Sequence, residues 1–400
     1  MQRKSNSNSL SHIAWQKFRR NSIGMTSLFI IVLATLISIL GYLITPDSTP
    51  FCNTQILEIS TQKPGFTVTM LEINKAEQPA KENLFHKMLF GVKSSVLQIP
   101  LSNYAIVSDT LNATLFDPDQ TGEYFSMTLP AILFPESNLI HQSDKQVPLR
   151  KANNVDTTMS LASLKQEVEQ RHVTKKTYWL GTDQFGRDLL SRLIIGTRVS
   201  LSVGAISVSI SLLLGIFLGA LAGYFGKRTD QIIMWFINVV WSIPTLLLVI
   251  ALTFALGRGF WQVFIAVGLT MWVEVARVVR GQILSIREKE FIEAGRALGF
   301  SHFRILTKHI IPNILNPVIV ISAANFASAI LIEAGLSFLG IGVQPPMPSW
   351  GSMVKEYYSF IILDSAYLAI IPGLAIVVLV LAFMALGNAL QDALDVRIKQ

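Results

Sequence analysis

Long, mostly uncharged apolar runs alternate with short polar segments along most of the chain. A bilayer core about 30 Å thick is crossed by a helix of roughly 20 apolar residues. Runs of that length cover residues 23–44, 199–225, 231–256, 260–279, 313–332 and 366–390. The pattern therefore predicts an all-α polytopic membrane protein with six transmembrane helices.

The first run could instead be a cleaved signal peptide. Signal peptides have an apolar stretch of about 7–15 residues followed by a small-residue cleavage site. This run is longer, follows Lys17, Arg19 and Arg20, and precedes no clear cleavage site. We therefore expect a retained membrane anchor.

Residues 46–176 are polar and carry strand-like stretches at 66–70 and 105–107, with turn signals around Pro118 and Gly122. A floppy linker is the alternative, but aromatic and aliphatic residues persist to Pro135. We predict a small β-rich extracytoplasmic insertion, with a looser, partly disordered stretch over 137–176.

Composition agrees with a membrane protein, since 51% of residues are hydrophobic, 15% are charged and the mean hydropathy is +0.47. The net charge of +7 lies beside the apolar runs, so it does not indicate a nucleic-acid partner. If the N-terminus is cytoplasmic, the inner segments hold sixteen Lys and Arg residues, whereas the short outer loops hold Arg258 and Lys355. Because Lys and Arg accumulate in cytoplasmic loops, we expect both termini to be cytoplasmic.

Catalytic and metal-binding patterns are missing from the sequence. It contains no phosphate-binding loop, no His-Glu-x-x-His and no Gly-x-Ser-x-Gly, and Cys52 is its one cysteine. We therefore expect no catalytic residue, no metal and no cofactor. A membrane-anchored enzyme with residues 46–176 as its catalyst is a weak alternative, because that segment shows no nucleophile–base pattern.

The loop at 283–312, between the fourth and fifth runs, predicts a helix–turn–helix bracket. Apolar Phe291, Ala294 and Leu298 recur at helical spacing, and Gly299 can end that helix in a left-handed conformation. Ser301 can cap a second helix through Lys308, before Pro312 opens the next span. Such a bracket suits docking to a cytoplasmic partner; an interfacial helix on membrane lipid is the alternative.

Two further motifs flank the spans on the outer side. The first predicts a tight turn locked by opposite charges, and metal binding by its aspartates is a poorer interpretation because Arg187 neutralises them. The second is too irregular to cross lipid, so we expect a re-entrant or surface cap, or a rigid connecting loop, with Glu333 anchoring it or facing a translocation route. Their residues are Gly181, Asp183, Gly186, Arg187 and Asp188 in the first, and Glu333, Gly340, Gly342, Pro345, Pro346, Trp350 and Gly351 in the second.

Charged residues inside spans are expensive in lipid and often functional. Glu274, Arg277 and Arg280 lie near the predicted inner end of the fourth span, where Glu274 and Arg277 are spaced to pair. An autonomous ion-coupled transporter or channel should carry partnered charges near mid-membrane, and the span centres are almost free of charge. A stripe of Gly215, Gly219 and Gly223 allows close helix contact, within one bundle or between subunits.

The bracket and the two outer motifs together resemble the C-type permease subunits of dipeptide-, oligopeptide- and nickel-type ABC importers. Glu293-Ala294-Gly295, Gly299 and Pro312 are similar to the EAA loop of these permeases, which usually has alanine at the place of Gly295. The long insertion is the main departure from the family.

This resemblance implies the type I permease fold and a place in the cytoplasmic (inner) membrane of a bacterium. It also implies three partners, namely a B-type permease subunit, cytoplasmic ABC ATPase subunits and an extracytoplasmic solute-binding protein. ATP-driven import of a peptide or similar small solute would follow, with ATP hydrolysed by the partner.

The resulting domain prediction has five parts. These are a cytoplasmic segment 1–22, a first helix 23–45, the insertion and pre-span motif 46–198, a five-helix core 199–391 with the loop 283–312, and a cytoplasmic tail 392–400.

Overall fold

A computed structural model describes residues 10–75, 82–119, 121–134, 146–150, 156–257 and 259–394. Most of the predicted tail and the first part of the N-terminal segment lie outside these residues. The chain divides into two compact units. We call Ile39–Ile195 the insert, and Met1–Ser38 with Gly196–Gln400 the bundle.

The helices are numbered in chain order. They are α1 (Leu10–Arg20), α2 (Ser22–Ile44), α3 (Leu84–Phe90), α4 (Leu129–Leu133), α5 (Leu161–Glu167), α6 (Leu189–Phe225), α7 (Lys227–Trp241), α8 (Thr245–Leu256), α9 (Phe260–Ile286), α10 (Glu290–Ala297), α11 (His302–Arg304), α12 (Ile311–Phe338), α13 (Trp350–Tyr357) and α14 (Tyr367–Leu394). Short π-helical segments occupy Val168–His172 and Ile305–Ile310.

Within the described residues, five helices are long and apolar enough to cross a membrane. They are Ser22–Ile44, Leu189–Phe225, Phe260–Ile286, His302–Phe338 and Tyr367–Leu394. The helical membrane fold is thus confirmed. The third predicted run is not one straight span, because α7 and α8 meet at 92°. Pro244 explains the break, since it disfavours a helical conformation at the preceding Ile243.

Two spans are longer than their apolar runs. Helix α6 begins at Leu189 rather than at the predicted residue 199, and α9 continues to Ile286 rather than stopping at 279. Polar and charged residues extend both helices, which hydropathy alone does not detect.

The glycine stripe of α6 packs inside the bundle. A Cβ on Gly215, Gly219 or Gly223 would lie within 3.0 Å of atoms of α9. Because side chains there would push the two helices apart, the stripe serves packing within one chain, which resolves that alternative.

The insert contains a five-stranded antiparallel sheet in the order β4-β3-β2-β1-β7 and a separate β5-β6 hairpin. The strands are β1 (Phe66–Asn74), β2 (Val96–Val107), β3 (Thr110–Leu115), β4 (Tyr124–Thr128), β5 (Gln146–Arg150), β6 (Asp156–Ser160) and β7 (Val173–Tyr178). Alternating apolar side chains, including Leu71, Leu101 and Leu111, form a core with α4 and α5. The predicted strands at 66–70 and 105–107 are present.

The expected looseness of 137–176 is wrong for residues 156–176, which form β6, α5, a π-helical turn and part of β7. Strand β7 pairs with β1 along Phe66–Leu71, so a distant partner orders a segment that is polar by itself. Residues 137–145 and 151–155 lie outside the described part of the chain.

Candidate functional site

The loop predicted to bind a partner forms a sharp elbow, which we define as residues 290–310. The amide of Gly299 donates to Arg296 O and that of Phe300 to Gly295 O, each at 3.0 Å. These two bonds form a Schellman motif that requires the left-handed φ of +75° at Gly299. The Ser301 hydroxyl then accepts a bond from the Arg304 amide and caps the next helix, as predicted.

The local structure explains why residue 295 is a glycine. A Cβ at this position would lie 3.3 Å from the Phe300 ring, which folds back over α10. Phe300 also stacks on His309, with ring centroids 5.7 Å apart. Gly295, at which this elbow departs from the family pattern, and His309 thus lie against the same aromatic ring.

One side of the elbow is fixed to the bundle. Ile292, Ile305 and Ile310 are buried in a cluster with residues of α6, α9 and α12. Polar bonds reinforce this attachment, since Arg287 donates to Gly223 O at 3.0 Å and Tyr224 bonds to His302 at 2.9 Å. The elbow is therefore packed against the ends of the bundle helices rather than forming a free loop.

The other side of the elbow is apolar and uncovered. Phe291, Leu298 and Phe303 are 46%, 72% and 76% exposed, and Ala294 is exposed between the first two. The predicted apolar face of α10 is therefore not the face that packs against the bundle. We call these four residues the apolar stripe. Contiguous exposed apolar surface rimmed by charge is typical of an interaction site.

The elbow continues directly into a transmembrane helix. Residues His302–Phe338 form one helical segment, so Pro312 lies inside a helix and does not open a separate one. The π-helical turn at Ile305–Ile310 precedes it. A wider turn relieves the clash between a proline ring and the carbonyl four residues before it. The second half of the elbow and the transmembrane helix thus form one continuous helical segment.

The turn motif of the insert is held by a buried ion pair. Asp183 accepts a bond from Arg187 Nε at 2.6 Å and from the Phe185 and Arg187 amides at 2.9 Å each. Asp188 does not join this pair; it accepts from the Ser191 amide and caps α6. The prediction of a locked triplet is therefore right for two of its three members.

Both glycines of this motif lie under other backbone. A Cβ on Gly181 would lie 2.2 Å from Gln62 O, and one on Gly186 would lie 1.7 Å from Ile56 O, while both residues have positive φ. Nearby Cys52 is buried, and burial raises the pKa of its thiol, which keeps it protonated and unreactive. The motif is thus a tightly packed structural turn.

The segment after α12 folds back on that helix and forms what we call the cap, residues 333–351. Glu333 is fully buried and accepts from the Ser337 hydroxyl at 2.6 Å, which in turn accepts from the Val343 amide. A Cβ on Gly351 would lie 2.6 Å from Ala334 Cα, and Trp350 is buried against Gly196. Gly340 takes a positive φ, and the Pro345–Pro346 bond is cis. Of the two roles considered for Glu333, this geometry favours the anchor.

Charged residues of α9 are arranged differently from the prediction. Arg277 donates to Asn238 Oδ1 at 2.7 Å and lies over the Trp241 ring, rather than pairing with Glu274. Arg280 pairs with Asp230 at 2.7 Å. Glu274 lies near the middle of the 27-residue α9, not near its end, and its side chain is exposed.

Two cavities in the bundle contain residues that sequence reasoning missed. The carboxylate cavity, about 310 Å³, is lined by Thr245, Thr270, Glu274 and Ser328 among apolar side chains. The amide cavity, about 630 Å³, is lined by Asn313, Asn316, Asn388 and Gln391 in the same way. Polar residues scattered over four helices leave no local sequence signal.

Comparison with known proteins agrees with this architecture. Residues 215–400 match the family described as binding-protein-dependent transport system inner membrane component, and residues 9–64 match the N-terminal TM domain of oligopeptide transport permease C. A chain of the inward-facing MetNI methionine ABC transporter is similar with a TM-score of 0.43 and 18% identity, covering 52% of this chain and 97% of that one.

Curated relatives are closer. A glutathione transport system permease protein of Pectobacterium atrosepticum is 41% identical over 56% of this chain and 73% of the relative. A dipeptide transport system permease protein of Alkalihalophilus pseudofirmus is 40% identical over the same shares, and an oligopeptide transport system permease protein of Bacillus subtilis is 36% identical over 56% and 73%. The resemblance to C-type permease subunits is thereby confirmed, and the chain belongs to the family of binding-protein-dependent transport system inner membrane components.

Proposed function

We propose that this inner-membrane permease forms half of a peptide translocation path and is driven by a cytoplasmic ABC ATPase that docks on the elbow. The observation that carries the proposal is the apolar stripe. Its four members are exposed, whereas Ile292, Ile305 and Ile310 of the same elbow are buried against the bundle. The permease itself hydrolyses no ATP in this scheme.

Docking at the elbow explains how closure of the ATPase would act on the translocation path. The partner would contact Phe291, Leu298 and Phe303, and its closure would displace the elbow as a rigid body together with His302–Phe338. A B-type permease subunit would form the other half of the translocation path. Both termini and the elbow would be cytoplasmic, because the charge asymmetry of the short loops favours that orientation.

Peptides are the proposed cargo because the relatives named above are dipeptide, oligopeptide and glutathione permease proteins. A solute-binding protein would deliver the peptide on the outer side. Family membership favours this scheme over an autonomous ion-coupled transporter or channel.

The insert would receive the solute-binding protein. Helix α3 supports this role, because it buries none of its residues and exposes Leu84, Phe85, Leu89 and Phe90. Residues 67–177 can be removed and the chain rejoined, because Phe66 and Tyr178 are paired neighbours and the Gly65 amide donates to Tyr178 O at 3.0 Å. The deletion also removes Val68 and Met70 from the cluster around Ile59, so the fold of the shortened permease is measured as a control. The shortened permease should retain ATPase association and lose delivery of cargo; unchanged peptide uptake would show the insert to be dispensable.

Reconstitution tests the proposed function as a whole. Proteoliposomes containing both permeases and the ATPases should take up a labelled peptide only with ATP and the solute-binding protein present. Uptake by this chain alone, without ATP or partners, would contradict the proposal.

A further inference from the structure

The two cavities of the bundle follow one another along the same pair of helices. Glu274 in the carboxylate cavity and Val278 in the amide cavity are one turn apart on α9. Ser328 and Ala324 are likewise one turn apart on α12 and line the carboxylate and amide cavities respectively. Lining residues of the two cavities thus lie one turn apart on both helices, and we call the two cavities together the groove.

Glu274 is the one ionisable residue among those that line the groove. The arginines nearest to it along α9 are engaged elsewhere, Arg277 with Asn238 and Arg280 with Asp230. In the described part of the chain, no hydrogen bond or ion pair to the Glu274 carboxylate is found. Glu274 thus supplies the one negative charge among the residues that line the groove, and Arg277, three residues further on, lies over the Trp241 ring of the same cavity.

A carboxylate in the middle of an apolar helix is costly unless it faces water or a positive partner. Its neighbours in the cavity, Thr245, Thr270 and Ser328, offer hydroxyl groups that can donate and accept hydrogen bonds. Such a site complements a small cation that carries several N–H donors. Both cavity volumes fall within the range of about 300–1,000 Å³ that is usual for small-ligand sites.

A metal ion fits this site poorly. Hard divalent cations take about six oxygen ligands, including several carboxylates, and no group of three His, Cys, Asp or Glu residues that could hold a metal occurs in the described residues. A primary ammonium group needs one carboxylate and two or three further acceptors. The amides of the second cavity can then bond to peptide groups of any sequence, because each carries both a donor and an acceptor.

We propose that the Glu274 carboxylate binds the α-ammonium group of a peptide as it passes along the groove. The inference rests on the proposed peptide cargo and names the residue that would read the free amino terminus. Glu274 would thus favour peptides with a free amino terminus over peptides whose amino terminus is blocked.

The test compares uptake of one lysine-free peptide with its N-acetylated form, using the complete transport complex. Because the same solute-binding protein serves all variants, its own preference cancels when ratios are compared. Glu274→Gln should lower the free-to-acetylated uptake ratio about tenfold, the usual effect of losing one charge-assisted hydrogen bond. Glu274→Asp should largely restore it, and Glu169→Gln on the exposed surface of the insert should keep the wild-type ratio.

Two results would overturn this assignment. An unchanged ratio in Glu274→Gln would show that the carboxylate does not read the amino terminus. An equal loss of both peptides in the Gln and Asp variants would assign Glu274 a structural role instead.

A second measurement does not depend on transport and so separates this inference from the proposed function. The loss of unmodified Glu274 on carbodiimide treatment of the purified complex can be followed by mass spectrometry, with C-terminally amidated peptides and no added amine tag. Millimolar free peptide should slow the labelling, whereas the acetylated peptide should not. Equal protection by both peptides, or protection by neither, would reject the ammonium site even if peptide uptake itself is confirmed.

Discussion

Each end of the helical segment His302–Phe338 carries a short irregular segment that turns on a glycine. The two segments differ in the exposure of their apolar side chains. At one end the elbow turns on Gly299, and at the other the cap turns on Gly340, both with positive φ. The cap buries Trp350, which is only 4% exposed, and its Glu333–Ser337 bond is internal, while Phe338 and Leu339 are 45% and 53% exposed. The elbow leaves Leu298 and Phe303 uncovered. Under the proposed function, the ATPase covers this uncovered face of the elbow, and no partner is proposed for the cap.

The largest expected effect comes from placing charge on the uncovered face. Leu298→Asp and Phe303→Asp should each weaken ATPase association about 30-fold or more, because anchor residues at interfaces contribute 2 kcal/mol or more. Folding should be unaffected, since both side chains are exposed. Co-purification of the ATPase with the permease measures the effect.

Ile362→Asp is the matched control. Ile362 is 93% exposed and follows the cap rather than the elbow. If this variant loses the ATPase as strongly as the elbow variants do, the contrast between the two ends is wrong.

The next effect is on stability and belongs to the cap. A Cβ at Gly342 would lie 2.5 Å from the backbone of Ser337, so Gly342→Ala should destabilise the bundle by about 1–3 kcal/mol. Thermal unfolding in detergent should show a lower midpoint, while the folded fraction still binds the ATPase. Gly335→Ala, in the last turns of α12 with no atom within 4 Å of the new Cβ, should leave the midpoint unchanged or raise it.

A smaller effect is expected at the turn of the elbow. Gly299 has open space around it but a φ of +75°, so Gly299→Ala should cost about 1 kcal/mol through backbone strain alone. Peptide-dependent ATP hydrolysis should fall severalfold at normal membrane abundance. Peptide-dependent ATP hydrolysis should fall further in Gly299→Asp than in Gly299→Asn, because both side chains tolerate this conformation and only aspartate adds charge beside the docking face. Equal ATP hydrolysis in the two variants would show that charge is not the cause.

The smallest effect is expected at Gly295. Alanine improves helix propensity by up to about 1 kcal/mol, but its Cβ would press on the Phe300 ring at 3.3 Å. These terms oppose each other, so Gly295→Ala should change stability and ATP hydrolysis little. A large loss of coupling would mean that the Phe300 position, not the apolar stripe, controls docking.

Sequence periodicity predicted the elbow better than its surroundings. Gly299 and Ser301 have local signatures for helix ends, so both were predictable. The exposure of the α10 face that carries Phe291 was not predictable, because residue spacing shows that a helix face is apolar without showing what covers that face. The order of residues 156–176 and the cavity around Glu274 depend on contacts between distant segments, which no single stretch of sequence contains. The bend at Pro244 has a local cause, which the hydropathy pattern alone does not show.

A labelling experiment at Leu298 tests the central claim directly. Cys52 is the one cysteine of the chain and is buried, so Leu298→Cys adds a single accessible thiol. A membrane-impermeant maleimide should label this thiol in inverted membrane vesicles but not in intact cells. Bound ATPase should protect the thiol from labelling. Labelling from the outside of the cell, or equal labelling with and without the ATPase, would contradict the account.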